Sequence, residues 1–318
     1  MPRDVTSTEP PSRAREGAEG RRENWADSAR AGEEFRRLAS GLDRLQTDGA
    51  ARAGRWRAAA ARVAPPVVFL LLAVTAWQLA VVLARPRPDV TPGPFDVLAA
   101  LVEGTESGRV QLAVATSLER GVLGFVIAIV AGTLLGLLLA EVRLLRRAVG
   151  PIVSGLQSLP SVAWVPAAIL WFGLSDATVY FVILTGAVPS IANGLLAGID
   201  QVPPRLRQVG IVLGAGRVRL VTDVVLPAAL PGYVSGLKQG WAFSWRSLMA
   251  AEIIATGGSI GFGLGALLDQ SRQLADIAGV FAAILLILFV GVLVELLVFG
   301  PVERRILRRR GLAPGGAR

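Results

Sequence analysis

Long runs of apolar residues without a charged side chain make up much of the chain. Four such runs lie at 64–84, 121–140, 148–175 and 177–199, and two apolar stretches with isolated charges follow at 229–255 and 277–299. About 20 apolar residues in a helix cross the hydrocarbon core of a bilayer. The pattern therefore predicts an all-α, polytopic membrane protein. It lacks the apolar/polar alternation of an outer-membrane barrel.

Six transmembrane helices are the simplest count. Their predicted bounds are 64–84, 118–140, 150–173, 177–199, 229–255 and 277–299. The membrane domain is then 63–300, flanked by a charged N-terminal tail, 1–62, and a basic C-terminal tail, 301–318. We expect the N-terminal tail to be partly disordered, with one amphipathic helix over about 28–46 that lies on the inner leaflet, on a partner, or has no role.

Three of the spans contain unusual residues. The second has small residues at Ala128, Gly132 and Gly136, which favour close packing within the chain over a dimer seam. The third contains three prolines, which kink or end a helix and predict a segment facing the protein interior. The fifth contains three charged residues, which indicate a translocation pathway or structural polar contacts. The prolines are Pro151, Pro160 and Pro166, and the charged residues are Lys238, Arg246 and Glu252.

Arginine placement predicts the orientation. With the N-terminus inside, the inner segments are rich in arginine, whereas the outer ones have few arginines, mixed with acids. The inner set is Arg143, Arg146, Arg147, Arg205, Arg207, Arg217, Arg219, Arg304, Arg305, Arg308, Arg309 and Arg310; the outer set is Arg85, Arg87, Arg109 and Arg272. We therefore expect both termini to be cytoplasmic.

Composition narrows the chemistry. The chain has no cysteine and no histidine, which argues against thiol nucleophiles, catalytic triads and most transition-metal sites. We predict no catalytic residue and no metal site. The net charge of +9 comes almost wholly from arginine, and we attribute it to membrane topology rather than to nucleic-acid binding.

The segment 200–231 is predicted to project from the inner side of the membrane. Pro203 and Pro204 suit the first turn of a short helix, and Gly214 suits its end. A second short helix is expected over about 217–225, ended by Leu226-Pro227. The two apolar faces are too short to form a core of their own, which favours binding to a partner.

This loop resembles the cytoplasmic loop of ABC-importer permeases, which contains the coupling helix that docks on an ATPase. The stretches "SLERGVLGFVIAIVAGTLLGLLLA", "LQSLPSVAWVPAAILWFGLSD", "PSIANGLLAGID" and "AFSWRSLMAAEIIA" are similar to the nitrate/sulfonate/taurine branch of these permeases. The resemblance covers about 86–300 and implies a type I importer permease-like core. The implied coupling residues are Gln208, Val209, Gly210, Gly214, Val224, Leu226 and Pro227, the first three standing where the family has Glu-Ala-Ala.

The resemblance also implies partners: ABC ATPase subunits inside, a substrate-binding protein outside, and a second permease subunit. The second subunit is expected to be an identical chain, with a heterodimer as the alternative. No cofactor is expected in this chain, because its only lysine, Lys238, precedes Gln239 and cannot belong to a phosphate-binding P-loop. The Gly-rich stretch 257–268 is expected to be a flexible outer turn on the side where the binding protein docks. Candidate residues of the translocation path are Ser158, Asn193, Trp245, Arg246, Ser247 and Glu252.

Two other functions remain open. A stand-alone secondary transporter or channel is expected to contain inverted repeats and an ion-coupling site at the membrane midplane. No convincing repeat is visible in the sequence. A membrane enzyme is disfavoured by the lack of histidine, cysteine and paired carboxylates. The solute is open among nitrate, sulfonates, taurine and similar small molecules.

Overall fold

The computed structural model describes residues 50–84 and 91–309, which are helices joined by turns and short linkers. The amphipathic helix predicted over 28–46 and the basic residues 310–318 lie outside the described residues. The chain divides into two units, residues 1–76 and residues 77–318. The described part of the first unit is a single helix, and the second unit contains all the features discussed below.

The described residues contain ten helices, α1 to α10, and a short 3₁₀ helix, Ser161–Trp164, between α4 and α5. Five of them contain apolar segments long enough to cross a membrane, and a bent helix pair gives a sixth. The helices are α1 Ala50–Ala84, α2 Pro94–Glu106, α3 Arg109–Glu141, α4 Arg143–Leu156, α5 Val165–Phe172, α6 Asp176–Asp200, α7 Pro204–Val212, α8 Arg217–Ile254, α9 Leu264–Gln273 and α10 Ile277–Arg308. All six predicted spans correspond to these segments by length and composition.

The third span is the bent pair. Helix α4 and the segment Ser161–Phe172 meet at an angle of 99°, and Pro160 stands at the break with non-helical φ and ψ of −59° and 123°. Pro151 lies inside α4, and Pro166 lies in the first turn of α5. The prolines thus interrupt the span as predicted. The expectation that this segment faces the protein interior is wrong for the single chain, where Leu170, Trp171 and Phe172 are exposed.

Helices α6 and α8 pack at backbone distance through glycines. A Cβ atom added to Gly232 would lie 2.6 Å from the Cα of Gly198, and one added to Gly236 would lie 2.7 Å from the Cα of Gly194. These four glycines form what we call the glycine seam. Because a side chain at any of them would displace backbone, the seam holds the two helices together along the halves nearest the segment 200–231.

Helix α3 packs on the other side of α6, again through small residues. Ala128 is fully buried, and a Cβ atom at Gly132 would lie 2.8 Å from the Cβ of Ile191. A Cβ atom at Gly136 would lie 3.0 Å from the carbonyl oxygen of Ala192. The row of small residues in the second span therefore serves packing within the chain, as predicted.

Two predictions of local structure are wrong. The Leu226-Pro227 pair does not end a helix, because α8 runs from Arg217 through both residues to Ile254. Pro227 has no N–H to donate to the preceding turn. The backbone before it forms a π turn over Leu220–Val225 instead of a regular α-helical turn. The stretch 257–268 is not a turn throughout, because its last five residues begin helix α9.

Candidate functional site

Helix α7 and the start of α8 form the predicted helix-turn-helix. Pro204 occupies the first turn of α7. At the other end Gly214 adopts the left-handed conformation, with φ of 79°. The amide of Gly214 donates to the carbonyl of Ile211 at 2.9 Å, and the amide of Ala215 donates to that of Gly210 at 3.0 Å. This pair of bonds is the Schellman motif, which confirms that the helix stops where the sequence indicated.

The two short helices touch at Gly210. A Cβ atom there would lie 2.7 Å from Cδ1 of Leu220 and 3.3 Å from Cγ2 of Val224. A larger residue at this position would push α7 away from α8. Gly210 therefore sets the spacing of the helix-turn-helix.

Ion pairs join the loop to neighbouring helices at its first residue and near its middle. Arg146 of α4 forms two hydrogen bonds with the carboxylate of Asp200, at the end of α6. Arg217, at the start of α8, pairs with Glu141 at the end of α3, with 2.6 Å between Nη2 and Oε2. These pairs are exposed, so each contributes little stability. Their effect is to fix the loop relative to α3 and α4.

The loop has a packed base and an exposed apolar tip. Its base is a small core of Leu195, Ile199, Val202, Val225 and Ala229. Its tip consists of Val212, Leu213 and Val218, which are 86%, 80% and 75% exposed. We call these three residues the tip. The sequence motif assigns none of them a role. Exposed apolar residues in an arginine-rich loop nevertheless indicate an interaction surface.

The seven predicted coupling residues are divided between base and surface. Gln208, Val209, Gly214 and Pro227 are exposed; Val224 and Leu226 are half-buried; Gly210 is buried. Leu226 packs on the core at the base. Their role in coupling stays a prediction, and the structure adds the tip, whose three residues are the most exposed large apolar side chains of the loop.

A polar cavity lies between α4, α6 and α8. Its volume is about 480 Å³, and no Asp, Glu, Lys or Arg lines it. Its polar lining consists of Gln157, Ser190, Asn193, Gln201, Ser235 and Gln239. Among the described residues the buried hydroxyl of Ser190 has no hydrogen-bond partner. The cavity thus offers amide and hydroxyl groups without a net charge.

The structure does not bring the six predicted path residues together. Asn193 lines the cavity. Ser158 is exposed next to the lining residue Gln157, and Ser247 bonds the hydroxyl of Ser161 at 2.7 Å. Arg246 is exposed on α8. A role in translocation stays a prediction for all six residues.

Trp245 and Glu252 lie elsewhere in the bundle and line no part of this cavity. The ring of Trp245 stacks on Trp241 with centroids 6.0 Å apart. Its N–H donates to the carbonyl of Ile287 in α10 at 3.2 Å. Packing between helices therefore accounts for the burial of Trp245.

Glu252 belongs to a buried polar cluster at the end of the helices opposite the loop. Its carboxylate accepts hydrogen bonds from the hydroxyl of Ser117 at 2.7 Å and from the amide of Gly265 at 3.0 Å. The guanidinium of Arg120 lies 3.4 Å from this carboxylate and 2.7 Å from that of Asp176. The cluster joins α3, α6, α8 and α9, so long-range structural contacts account for this charged residue in the fifth span.

Comparison with known proteins identifies the family. The model of the family described as "binding-protein-dependent transport system inner membrane component" matches residues 124–308, more than half of the chain. The chain belongs to this family. This permease family supplies the membrane component of importers and is not itself an enzyme. The match includes the helix-turn-helix and the polar cavity, and it confirms the resemblance inferred from the motifs.

Individual relatives agree with this assignment. The nitrate import permease protein NrtB of Synechococcus elongatus is 29% identical over 209 residues, 62% of this chain and 74% of NrtB. The taurine transport system permease protein TauC of Escherichia coli is 27% identical over 248 residues, 76% of this chain and 89% of TauC.

A solved structure shows the same fold. The chain matches a chain of the methionine ABC transporter MetNI in an inward-facing conformation with a TM-score of 0.52. The sequence identity is 21%, and the match covers 61% of this chain and 94% of that one. The all-α, multi-pass permease fold predicted from the sequence is thereby confirmed.

Proposed function

We propose that this permease is the membrane-spanning subunit of an ATP-driven importer. Separate ATPase subunits bind the loop 200–231, a substrate-binding protein delivers a small solute at the opposite end, and a second permease subunit, an identical chain, completes the path. The observation that carries the proposal is the exposed apolar tip on a loop that ion pairs at Asp200 and Arg217 join to helices α4 and α3.

The tip has the properties of a docking surface for a protein in the aqueous phase. Val212, Leu213 and Val218 are exposed, and Arg217 and Arg219 lie beside them. Apolar side chains at the centre of a patch with a charged rim are typical of protein interfaces. The loop is continuous with α6 and α8, so a displacement of the tip acts directly on two spanning helices. ATP is bound by the partner in this scheme.

The tip can be tested by substitution. In the double variant Val212→Asp with Leu213→Asp, we expect co-purification with the ATPase subunit to be lost while membrane insertion is retained. Burial of two such side chains contributes about 3 kcal/mol, roughly a hundredfold in affinity. The measurement is the amount of ATPase recovered with the tagged permease.

Leu274→Asp is the matched control for the tip variant, because Leu274 is also exposed but lies at the opposite end of the helices. It should leave ATPase recovery unchanged. Equal recovery from the tip variant, the control and the wild type would contradict docking at the tip.

The proposed orientation is that the loop and both termini face the cytoplasm. Since the chain contains no cysteine, a single introduced cysteine reports its own location. We expect Ala215→Cys to react with a membrane-impermeant maleimide only after the membrane is permeabilised, and Ser259→Cys to react in intact cells. Labelling of Ala215→Cys from outside would show that the arginine bias had been misinterpreted.

The polar cavity is the proposed translocation path. In the single chain it is bounded by α4, α6 and α8, and the apolar residues Leu170 and Trp171 beyond the break in the third span are exposed. A second copy would cover apolar surface of this kind and close the path. By analogy with the names of NrtB and TauC, the solute is proposed to be a small polar molecule such as nitrate, taurine or another sulfonate.

The alternative, a stand-alone secondary transporter or channel, gives a different result in vesicles. Proteoliposomes that contain only this chain should not accumulate nitrate or taurine when a proton gradient is imposed. Accumulation without an ATPase would support the alternative and overturn the proposed dependence on ATP.

A further inference from the structure

Helix α8 presents one polar face along the cavity and beyond it. Ser235 and Gln239 line the cavity, and Arg246 follows Gln239 by seven residues and Ser235 by eleven. At about 3.6 residues per turn these intervals are close to two and three full turns. Arg246 therefore lies on the same face of α8 as the cavity lining, on the side of the cavity away from the loop.

Arg246 differs from the other cations inside the apolar spans. Arg120 pairs with Asp176 and Glu252, and Lys238 pairs with Glu295 at 2.9 Å and Glu303 at 3.7 Å. Within residues 50–84 and 91–309, Arg246 has no carboxylate partner. Its Nε donates to the carbonyl of Ala242 at 3.0 Å, and its guanidinium carbon lies 4.7 Å from the centre of the Phe243 ring.

The exposure of this guanidinium requires an environment that accommodates charge. An arginine inside a span that faces hydrocarbon is strongly disfavoured, and such residues normally face the interior of a bundle or a water-filled cavity. The neutral polar groups on the same face of α8 favour the water-filled cavity. The four remaining guanidinium N–H groups, on Nη1 and Nη2, are then free to donate to a solute or to water.

The chemistry of the cavity complements a positive charge at its far side. Gln157, Asn193 and Gln239 supply amide N–H donors, Ser190 and Ser235 supply hydroxyls, and no carboxylate in the lining repels an anion. A path must bind its solute weakly enough to release it. Neutral donors between the loop and one unpaired cation satisfy that requirement. The cation attracts an anion, and the neutral groups donate hydrogen bonds to it that are weak enough to permit release.

We propose that Arg246 makes the path selective for small solutes that carry an anionic group, such as nitrate or a sulfonate, and that the amides and hydroxyls of the cavity donate hydrogen bonds to that group. This inference rests on the proposed function, because it assumes that the cavity is the path. Arg246 is thus a specificity-determining residue, acting mainly through its charge. An oxyanion or a sulfonate has acceptor oxygens that suit both the guanidinium and the amides.

The absence of cysteine makes the charge preference of the cavity measurable without knowing the natural solute. Ser235→Cys places one thiol in the cavity of a permease that has no other cysteine, and the variant is studied in complex with its ATPase. Its rate of modification is measured with an anionic reagent, sulfonatoethyl methanethiosulfonate, and with a cationic one, trimethylammonioethyl methanethiosulfonate. The ratio of the two rates reports the electrostatic preference for anions in the cavity.

We expect Arg246→Gln to lower this anion-to-cation ratio by about fivefold or more. At an effective dielectric constant of about 20, one charge about 16 Å away along the helix changes the rate of each reagent by about fivefold, in opposite directions for the two, so fivefold is the lower bound for the ratio. Arg246→Lys should keep the ratio near that of Ser235→Cys alone, because it keeps the charge. Ser259→Cys, outside the cavity, should show a ratio that does not respond to Arg246→Gln.

Three results would overturn the proposal: a ratio that Arg246→Gln leaves unchanged, a ratio that falls equally in Arg246→Lys, or a thiol at position 235 that neither reagent reaches. A loss of the permease dimer in Arg246→Gln with an unchanged ratio would likewise assign Arg246 to subunit contact. Recovery of the ATPase with each variant is measured in parallel. Normal recovery with an unchanged ratio refutes the anion path alone, whereas failure of the tip variant to lose the ATPase refutes the proposed function.

Discussion

The Gly198→Leu substitution is expected to prevent stable packing of α6 against α8. A Cβ atom at position 198 would already lie 2.6 Å from the carbonyl oxygen of Ala229 and 3.3 Å from the amide nitrogen of Tyr233. A leucine adds three further carbon atoms where the backbones of two helices meet. Overpacking of this kind costs about 3 kcal/mol or more, because backbone must move and not only side chains.

The measurement for the glycine seam is the temperature at which half of the detergent-solubilised permease aggregates. Gly155→Leu is the matched control, since no atom lies within 4 Å of a Cβ atom added to Gly155, which is also helical. We expect a large fall in the midpoint for Gly198→Leu and little change for the control. Equal midpoints would mean that α6 and α8 are not in backbone contact at this position.

The second large effect is expected at the buried cluster around Glu252. In Arg120→Ala, the Glu252 side chain remains fully buried but loses its cation, and removal of one partner from a buried ion pair costs about 3–5 kcal/mol. The double variant Arg120→Met with Glu252→Met should be more stable than Arg120→Ala alone, because it leaves no buried charge unpaired. Asp176 loses its partner in both variants, but its side chain is half-exposed. The cluster also bonds Gly261 and Gly265, so Arg120→Ala should expose the segment 257–263 to protease.

Arg146→Ala serves as the comparison for the buried cluster. Its ion pair with Asp200 is also formed between helices, but the two side chains are 41% and 44% exposed, and such pairs contribute about 1 kcal/mol or less. Midpoint temperature and limited proteolysis are measured for all three variants. If Arg120→Ala and Arg146→Ala lower the midpoint equally, the cluster does not function as a buried ion pair.

The sequence was sufficient for those features that depend on local composition. Apolar runs of about 20 residues located the spans, because the bilayer fixes their length. Pro160 marked the break in the third span, and Gly214 marked the end of α7, because each residue has a restricted or unusual backbone preference. The loop motif indicated the family, which the family match confirms.

The remaining features depend on contacts between residues far apart in the chain. The partners of Glu252 lie 135 residues away at Ser117 and 132 residues away at Arg120, so no local spacing could pair them. The polar cavity takes its amides from three helices, and no periodic pattern unites them. Pro227 was predicted to end a helix, but the π turn before it allows α8 to continue.

The sequence pattern did not predict the short helices α2 and α9, and for α9 the reason is again a set of long-range contacts. Gly263 directly precedes α9, and the region before it contains several more glycines, which locally favours a turn. Helix α9 is held by Glu252 and Ser117, which bond the amides of Gly265 and Leu264 at its start. Tertiary contacts therefore decide the structure of this segment against its local preference.

The glycine seam also limits how the permease can move. Helices α6 and α8 are joined by one loop and are in contact along their backbones, so they cannot slide apart or cross at a new angle without breaking the seam. Under the proposed docking of the ATPase, we expect a force on the tip to tilt the pair as one rigid beam that pivots within the membrane. When such a beam tilts, its two ends swing in opposite directions, so narrowing at one membrane surface entails widening at the other.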